Sequence, residues 1–298
     1  MRERNWREYN KQLVQRGSLT FLVDPKTVKS LRCKRARGKL GRPLEFSDPL
    51  ILLLLMVKVH FRLPYRTLEG FSDWIVRTLR EHFEIPCYSL ICKRAKGLRS
   101  QLPKLSHRRP ETVILDSSGI KICGEGEWKV KIHGRGRPRK WLKVHIAIDA
   151  RTQEVVAEVT TESSCADSTM TKPLLEQAGR SVKEVLADGA YDGSKTRKTI
   201  QEHGAKASIP PPKNARYRGT DSERDRAIAE IRGLGGDPTA RSLWKKLSGH
   251  GRRSLVESTF SQFKGLFGDR LFSKTIERQK VEIRLRCLLI NRMQRMAA

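Results

Sequence analysis

Three carboxylates, Asp116, Asp188 and Glu257, lie so far apart along the chain that only tertiary structure can unite them. Asp116 ends the β-branched run TVILD. Asp188 ends the apolar run VKEVLAD and is followed by Gly189, which permits a close turn. Glu257 lies on a late amphipathic stretch. If the first and fourth strands are neighbours, their C-terminal ends are adjacent, and a helix packed across them adds the third carboxylate. Carboxylates clustered in this way repel one another unless a cation sits among them. An oxygen-only donor set suits Mg2+ or Mn2+. Two such ions about 3.5–4 Å apart stabilise the attacking and leaving oxygens of a phosphodiester displacement.

The stretch Arg252 to Phe267 reads as a helix, and its wheel separates two faces. At about 100° per residue, His250, Arg253, Glu257 and Lys264 fall within about 60° of one another. Val256, Phe260, Phe263 and Phe267 form the adjoining apolar seam. The polar ridge suits a metal ligand flanked by groups that grip phosphates. The ordinary alternative is an i, i+4 Arg–Glu pair on a solvated helix.

The elements that must position these residues change character along the chain. Ser47-Asp48-Pro49 is a helix start, with a capping side chain and Pro in the first turn, ahead of an apolar run to about Arg62. Tyr65, Leu68, Phe71, Ile75 and Leu79 trace a second helical face, and Ser89 opens a short basic helix. Three short helices ending in a basic one fit a helix-turn-helix-like unit or a plain helical bundle. From Glu111 strands take over. TVILDSSGIKI, WLKVHIAID and EVVAEVTT form a meander, in which Leu142, Val144, Ile146 and Ile148 alternate on one face. A helix closing on Gly179, the strand VKEVLAD, a helix at SKTRKTIQEHG and the strand AKASIP follow. Residues 211–250 read as an irregular insertion, and after the late helix LFSKTI reads as a strand ahead of a basic C-terminal helix. The predicted fold class is α/β: a ribonuclease-H-like (RNase-H-like) mixed five-stranded sheet flanked by helices. The domains are expected at 1–108, helical and DNA-binding, and at 109–298, the catalytic core.

Charge narrows the partner. Sixty-one Lys and Arg against 32 Asp and Glu give a formal charge of +29, and the pI is about 10.4, so a polyanion is the default ligand. Residues 1–110 carry 25 basic and 9 acidic side chains, against 36 and 23 in the remaining 188, which points to a binding module ahead of a less charged one. Lys29 to Arg42 is rich in Lys and Arg with no acid, as a phosphate-contacting arm or a solvated linker would be. The longest apolar run, Leu50 to Val57, is 8 residues. A membrane span needs about 20. The opening MRERNWREYNKQ lacks the apolar core of a secretory signal. Six cysteines without a CxxC pair argue against zinc and disulfides and fit a reducing cytoplasm.

The blocks LDSSGIKICGEGEWKVKIHG, LADGAYDG and GRRSLVESTFSQFKGLFG resemble the catalytic blocks of bacterial insertion-sequence transposases with a DDE triad, specifically the large IS-five group. In that family the third block reads Tyr-x2-Arg-x3-Glu-x6-Lys; Arg253, Glu257 and Lys264 match it, and His250 stands in place of Tyr. NWREYNKQLVQRGSLTFLVD and GRPLEFSDPLILLLLMVKVHFRLPYRTLEGF resemble the group's N-terminal region. The resemblance implies metal-dependent DNA cleavage and strand transfer, with Asp116, Asp188 and Glu257 as catalytic metal ligands. It assigns DNA contacts to His250, Arg253 and Lys264. It further implies terminal inverted repeats and target DNA as partners, a dimer in the DNA complex, and a cytoplasmic, nucleoid-associated protein. A nuclease or resolvase of the same fold without strand transfer is the alternative, and a DNA-binding remnant without activity is a third reading.

Other residues invite blander readings. Asp149 and Asp192 read as turn formers, Asp167 as a helix cap, and His133 and His145 as structural. GEGEWKVKIHGRGRPRKW does not fit the Walker phosphate loop and reads as a hairpin loop. Trp128 and Trp141 read as core; Trp244 is core or a platform for a stacked base.

Overall fold

The computed structural model describes residues 5–15, 45–78, 84–122, 141–220 and 222–297. The basic stretch Lys29 to Arg42, the Gly-rich segment from Gly124, Trp128 and His133 lie outside these residues. Contacts divide the chain into two units. One comprises the described parts of Met1–Lys104 and Leu266–Ala298, with Ile122; the other comprises Leu105–Lys121 and the described parts of Gly126–Gly265.

The first unit is helical. Helices α1 (Trp6–Gln15), α2 (Asp48–His60), α3 (Tyr65–Thr78), α4 (Tyr88–Ala95) and the 22-residue α10 (Ile276–Ala297) build it. The Ser47 side chain caps α2 by accepting from the Leu50 amide at 3.2 Å, as the Ser-Asp-Pro signal predicts. α2 is apolar all round because it is enclosed: Leu50, Ile51, Leu54, Leu55 and Met56 are buried together. Arg94, on the basic helix α4, is spent on the Phe46 carbonyl and on Asp48, so it anchors the start of α2. Contacts group residues 266–298, which the sequence division at 108 places with the second domain, with the described N-terminal helices. LFSKTI is not a strand. The amides of Phe272 and Ser273, which a strand would donate to a neighbour, donate to Glu282, and Glu282 is held by the buried Arg286 at 2.8 Å.

The second unit holds the sheet. Strands β1 (Thr112–Lys121), β2 (Trp141–Asp149), β3 (Val155–Glu162), β4 (Glu184–Leu186) and β5 (Lys206–Ser208) lie in the order β3-β2-β1-β4-β5. The meander is antiparallel, and β4 and β5 run parallel to β1. This is the RNase-H-like arrangement. Helices α5 (Thr171–Ala178) and α6 (Ser194–Glu202) separate the last strands, and Val113, Leu115, Leu174, Val185 and Ile200 meet in the core. β2 is buried on both faces, including Ala147 and His145, because it is an inner strand.

Residues 211–250 are not irregular: they hold α7 (Glu223–Gly233) and α8 (Pro238–Leu247). Ser222 caps α7 and Asp237, followed by Pro238, caps α8, both local signals that the surrounding Gly and Pro obscure. Trp244 joins the two helices, its indole N–H donating to Glu230 at 2.7 Å, and only 5% of it is exposed. It is therefore core and not a base platform. A turn of 3-10 helix (His250–Arg253) then leads into α9 (Ser254–Phe267). Gly249, at φ 70°, supplies the left-handed residue that ends α8 and opens this turn.

Candidate active site

The sheet register brings the first two carboxylates together. Ile114 on β1 lies opposite Leu186, the last residue of β4, and Asp116 and Asp188 each follow that pair by two residues. Each is oriented by a neighbouring amide: Ser117 N–H donates to Asp116 Oδ1 at 2.8 Å, and Ala190 N–H to Asp188 Oδ1 at 3.0 Å. Both Oδ2 atoms face a third element. Arg253 Nη2 lies 3.2 Å from Asp116 Oδ2 and 3.8 Å from Asp188 Oδ2, while Nη1 of the same guanidinium bonds Glu257. Three carboxylates, one from the middle of β1, one just past the end of β4 and one from α9, thus meet at one cation. Gly189 takes an ordinary backbone angle, so the turn after Asp188 does not depend on its freedom.

Electrostatics follow from this packing. Burial pushes the Asp116 carboxyl above its usual range; the Ser117 amide and Arg253 hold it down, and the charges of Asp188 and Glu257 push it up again. The Arg253 Nε is enclosed and has no hydrogen-bond partner among the described residues. Among the described residues no group of three His, Cys, Asp or Glu side chains is placed to hold a metal ion.

His250 does not lie on the exposed ridge that a continuous helix would give. The chain there is a 3-10 turn, and the ring is buried with Nε2 at 3.0 Å from the Ala187 carbonyl. A carbonyl only accepts, so Nε2 carries the proton and donates. The ring ties the turn bearing Arg253 to the strand end bearing Asp188, and burial lowers its pKa. Nε2 is thus engaged inside the protein. Lys264 is half-exposed and lies seven residues beyond Glu257 on the same helix, about 10 Å along its axis, outside the carboxylate centre.

Behind Asp116 is a second polar group that sequence reasoning missed. Asp167 does not cap a helix. Its Oδ1 accepts from Ser117 Oγ at 2.7 Å and pairs with Lys143 Nζ at 3.0 Å. His145 is enclosed beside it and bonds Thr161 through Nε2 at 2.8 Å; burial lowers its pKa to about 4. Asp149 closes the β2–β3 turn by accepting from Arg151 N–H and Thr152 Oγ1. Asp192 is more than a turn former: it is buried between Arg197 and Arg224, at 2.7 and 2.9 Å. Ser117 and Asp167 are 50 residues apart, so only the strand pairing reveals their contact.

Comparison with known proteins gives the family. A family described as Transposase DDE domain matches residues 107–292, and a second family of the same description matches residues 14–125. A protein of Aquifex aeolicus (strain VF5), named as uncharacterized, is 25% identical over 91% of this chain and 82% of its own length. Among solved structures, the piggyBac transposase synaptic complex with hairpin DNA aligns with 94% of this chain and 73% of that one, at 12% identity and a TM-score of 0.43. A pre-cleavage Mos1 transpososome aligns with 89% and 82%, at 10% identity and a TM-score of 0.22. Superpositions this loose leave the assignment to the family match. That match spans more than half of the residues, including Asp116, Asp188 and Glu257, and by it the chain belongs to the transposase DDE domain family and is a DNA transposase.

Proposed function

We propose that Asp116, Asp188 and Glu257 are the catalytic triad of this transposase and hold its divalent metal, Mg2+ or Mn2+, as a pair of ions. The observation that carries this reading is the meeting of all three carboxylates at the Arg253 guanidinium. The guanidinium marks a place where positive charge is favoured, and the donors are all oxygens, which fits a hard divalent ion. When bound, such ions stabilise the charge that develops on the attacking and leaving oxygens of the phosphodiester.

The chain's own residues position that chemistry. The Ser117 and Ala190 amides fix the two aspartates, and His250 holds the Arg253 turn against the end of β4. Arg253 turns from the carboxylates to a DNA phosphate, and Lys264 takes a second phosphate further along α9. The helices of the first unit recognise the terminal inverted repeats, and two protomers hold the two element ends together. Supporting this reading are the excess of basic residues in the first 110 and the resemblance to the IS-five group. Among the described residues no helix is long and apolar enough to cross a membrane. A bacterial cytoplasmic setting at the nucleoid fits a DNA substrate.

Incubating the protein with its own flanking DNA and Mg2+, and mapping nicked and joined strands, tests the proposal. Free 3′-OH ends at the element boundary that become joined to a second duplex are expected. Ends that form and never join would overturn strand transfer and leave a nuclease.

A further inference from the structure

Ser117 is joined to two carboxylates on opposite faces of the sheet. Its amide donates to Asp116 Oδ1 at 2.8 Å, and its hydroxyl donates to Asp167 Oδ1 at 2.7 Å. Side chains of successive strand residues point to opposite faces. Asp116 meets Arg253 on one face, so the Ser117 hydroxyl and its partner Asp167 lie on the other. There Asp167 is braced in turn: Lys143 Nζ stands 3.0 Å from the same Oδ1 and also donates to the Cys165 carbonyl at 2.9 Å, two residues before Asp167.

The backbone here needs such a brace because β1 has outrun one of its neighbours. Alternate residues of a strand turn their backbone groups to the same side. The Glu111 carbonyl accepts the Lys183 and Glu184 amides, so Ser117, six residues on, also turns its amide toward the β4 side. Pairing between β1 and β4 stops at Ile114 and Leu186, whereas β2 follows β1 to Lys121. The Ser117 amide, with no β4 residue to receive it, goes to Asp116 instead. Where that amide points depends on the tilt of the peptide between Asp116 and Ser117, and the bond from Ser117 Oγ to Asp167 fixes the tilt from the far face. Carboxylates that ligate metal are commonly held by an outer hydrogen bond that sets their orientation.

We propose that Ser117 and Asp167 are positioning residues for Asp116: Asp167, braced by Lys143, holds the Ser117 hydroxyl, and the Ser117 amide holds the carboxylate in the orientation that receives the metal. The inference rests on the assignment of Asp116 as a metal ligand. A merely structural Asp167, pinning the 3-10 turn Asp167–Met170 to the sheet, would govern the melting temperature and leave metal affinity untouched.

The test compares full-length wild type, Ser117→Ala, Asp167→Ala, Asp167→Asn and Asp116→Asn. Mn2+ affinity is read from the electron paramagnetic resonance of the free ion, and thermal melting is followed without metal. Ser117→Ala and Asp167→Ala are each expected to bind Mn2+ about tenfold more weakly. The two changes combined should weaken binding no further than either alone, since they break one link. Asp167→Asn keeps an oxygen for the Ser117 hydroxyl and loses the charge that pairs with Lys143. It is expected to bind Mn2+ as wild type does while melting at a lower temperature. Wild-type affinity in Ser117→Ala overturns the proposal. So does an Asp167→Asn protein as weak as Asp167→Ala, which would mean that the charge of Asp167, and not its hydrogen bond, governs the metal. Ser117→Ala removes a single oxygen and decides the matter alone if Asp167→Ala does not fold. If wild type binds Mn2+ no better than Asp116→Asn, the ligand assignment itself fails and this inference fails with it.

Discussion

Arg253 and Asp116, 137 residues apart, share a hydrogen bond of 3.2 Å at the centre of the site, and the same guanidinium also neutralises Asp188 and Glu257. One side chain therefore does in the metal-free protein what a cation must do in any cluster of three carboxylates.

Removing that charge should make stability depend on metal. Arg253→Gln leaves three carboxylates facing one another without compensation, at a cost of about 1–3 kcal/mol. Thermal melting should show a lower midpoint than wild type without metal, and a larger rise when Mn2+ is added. An equal response to Mn2+ in the two proteins would mean that Arg253 and the ion do not share one place.

The buried imidazole at position 250 should act through the protein and not through DNA. Every B-DNA phosphate that a protein no longer neutralises reduces the slope of log affinity against log salt by about 0.9. Lys264→Ala is expected to show that reduction in end-DNA binding. His250→Ala is expected to leave the slope unchanged, to lower stability by about 1 kcal/mol through loss of the Ala187 hydrogen bond, and to slow cleavage by displacing Arg253. A reduced salt slope in His250→Ala would return the imidazole to a DNA phosphate.

These two positions show what the sequence could and could not disclose. The β-branched run of β1 and the apolar run of β4 marked both strands, but that they are neighbours, which brings Asp116 and Asp188 together, was only a condition of the sequence reading. The wheel of α9 placed Arg253 beside Glu257 correctly, since four residues span one turn. It failed at His250 because the chain tightens to a 3-10 turn there, a change that depends on Gly249 and on the Ala187 carbonyl, and neither lies within the periodic pattern. LFSKTI carried strand-like residues, yet Glu282 captures its amides from ten residues away. The helices at 223–233 and 238–247 were announced by Ser222 and Asp237-Pro238, signals masked by a composition that suggested loop.

His145 gives the unit holding the sheet a pH dependence of known sign. Burial lowers its folded-state pKa from 6.5 to about 4, so the unfolded chain binds the proton more readily. Its neutral form supports the fold fully above about pH 6.5, and that support declines as pH falls toward 4. Denaturant midpoints between pH 7.5 and 4 should decrease in wild type, and less in His145→Gln. Parallel profiles for the two proteins would assign the acid sensitivity elsewhere.

Trp244 should matter for folding alone. Trp244→Phe removes the indole donor to the Glu230 carboxylate and costs about 1–3 kcal/mol, seen in chemical denaturation. Affinity for end DNA, fully paired or with unpaired bases, should be that of wild type; a selective loss of binding to unpaired bases would return the ring to the substrate.

The central claim is that the three meeting carboxylates carry the DNA chemistry. Strand nicking at the element end in Mg2+, compared between wild type and Asp188→Asn at equal end binding, tests it most directly. The account predicts cleavage at least about a thousandfold slower in Asp188→Asn with end binding intact. Cleavage at the wild-type rate in that variant would contradict it.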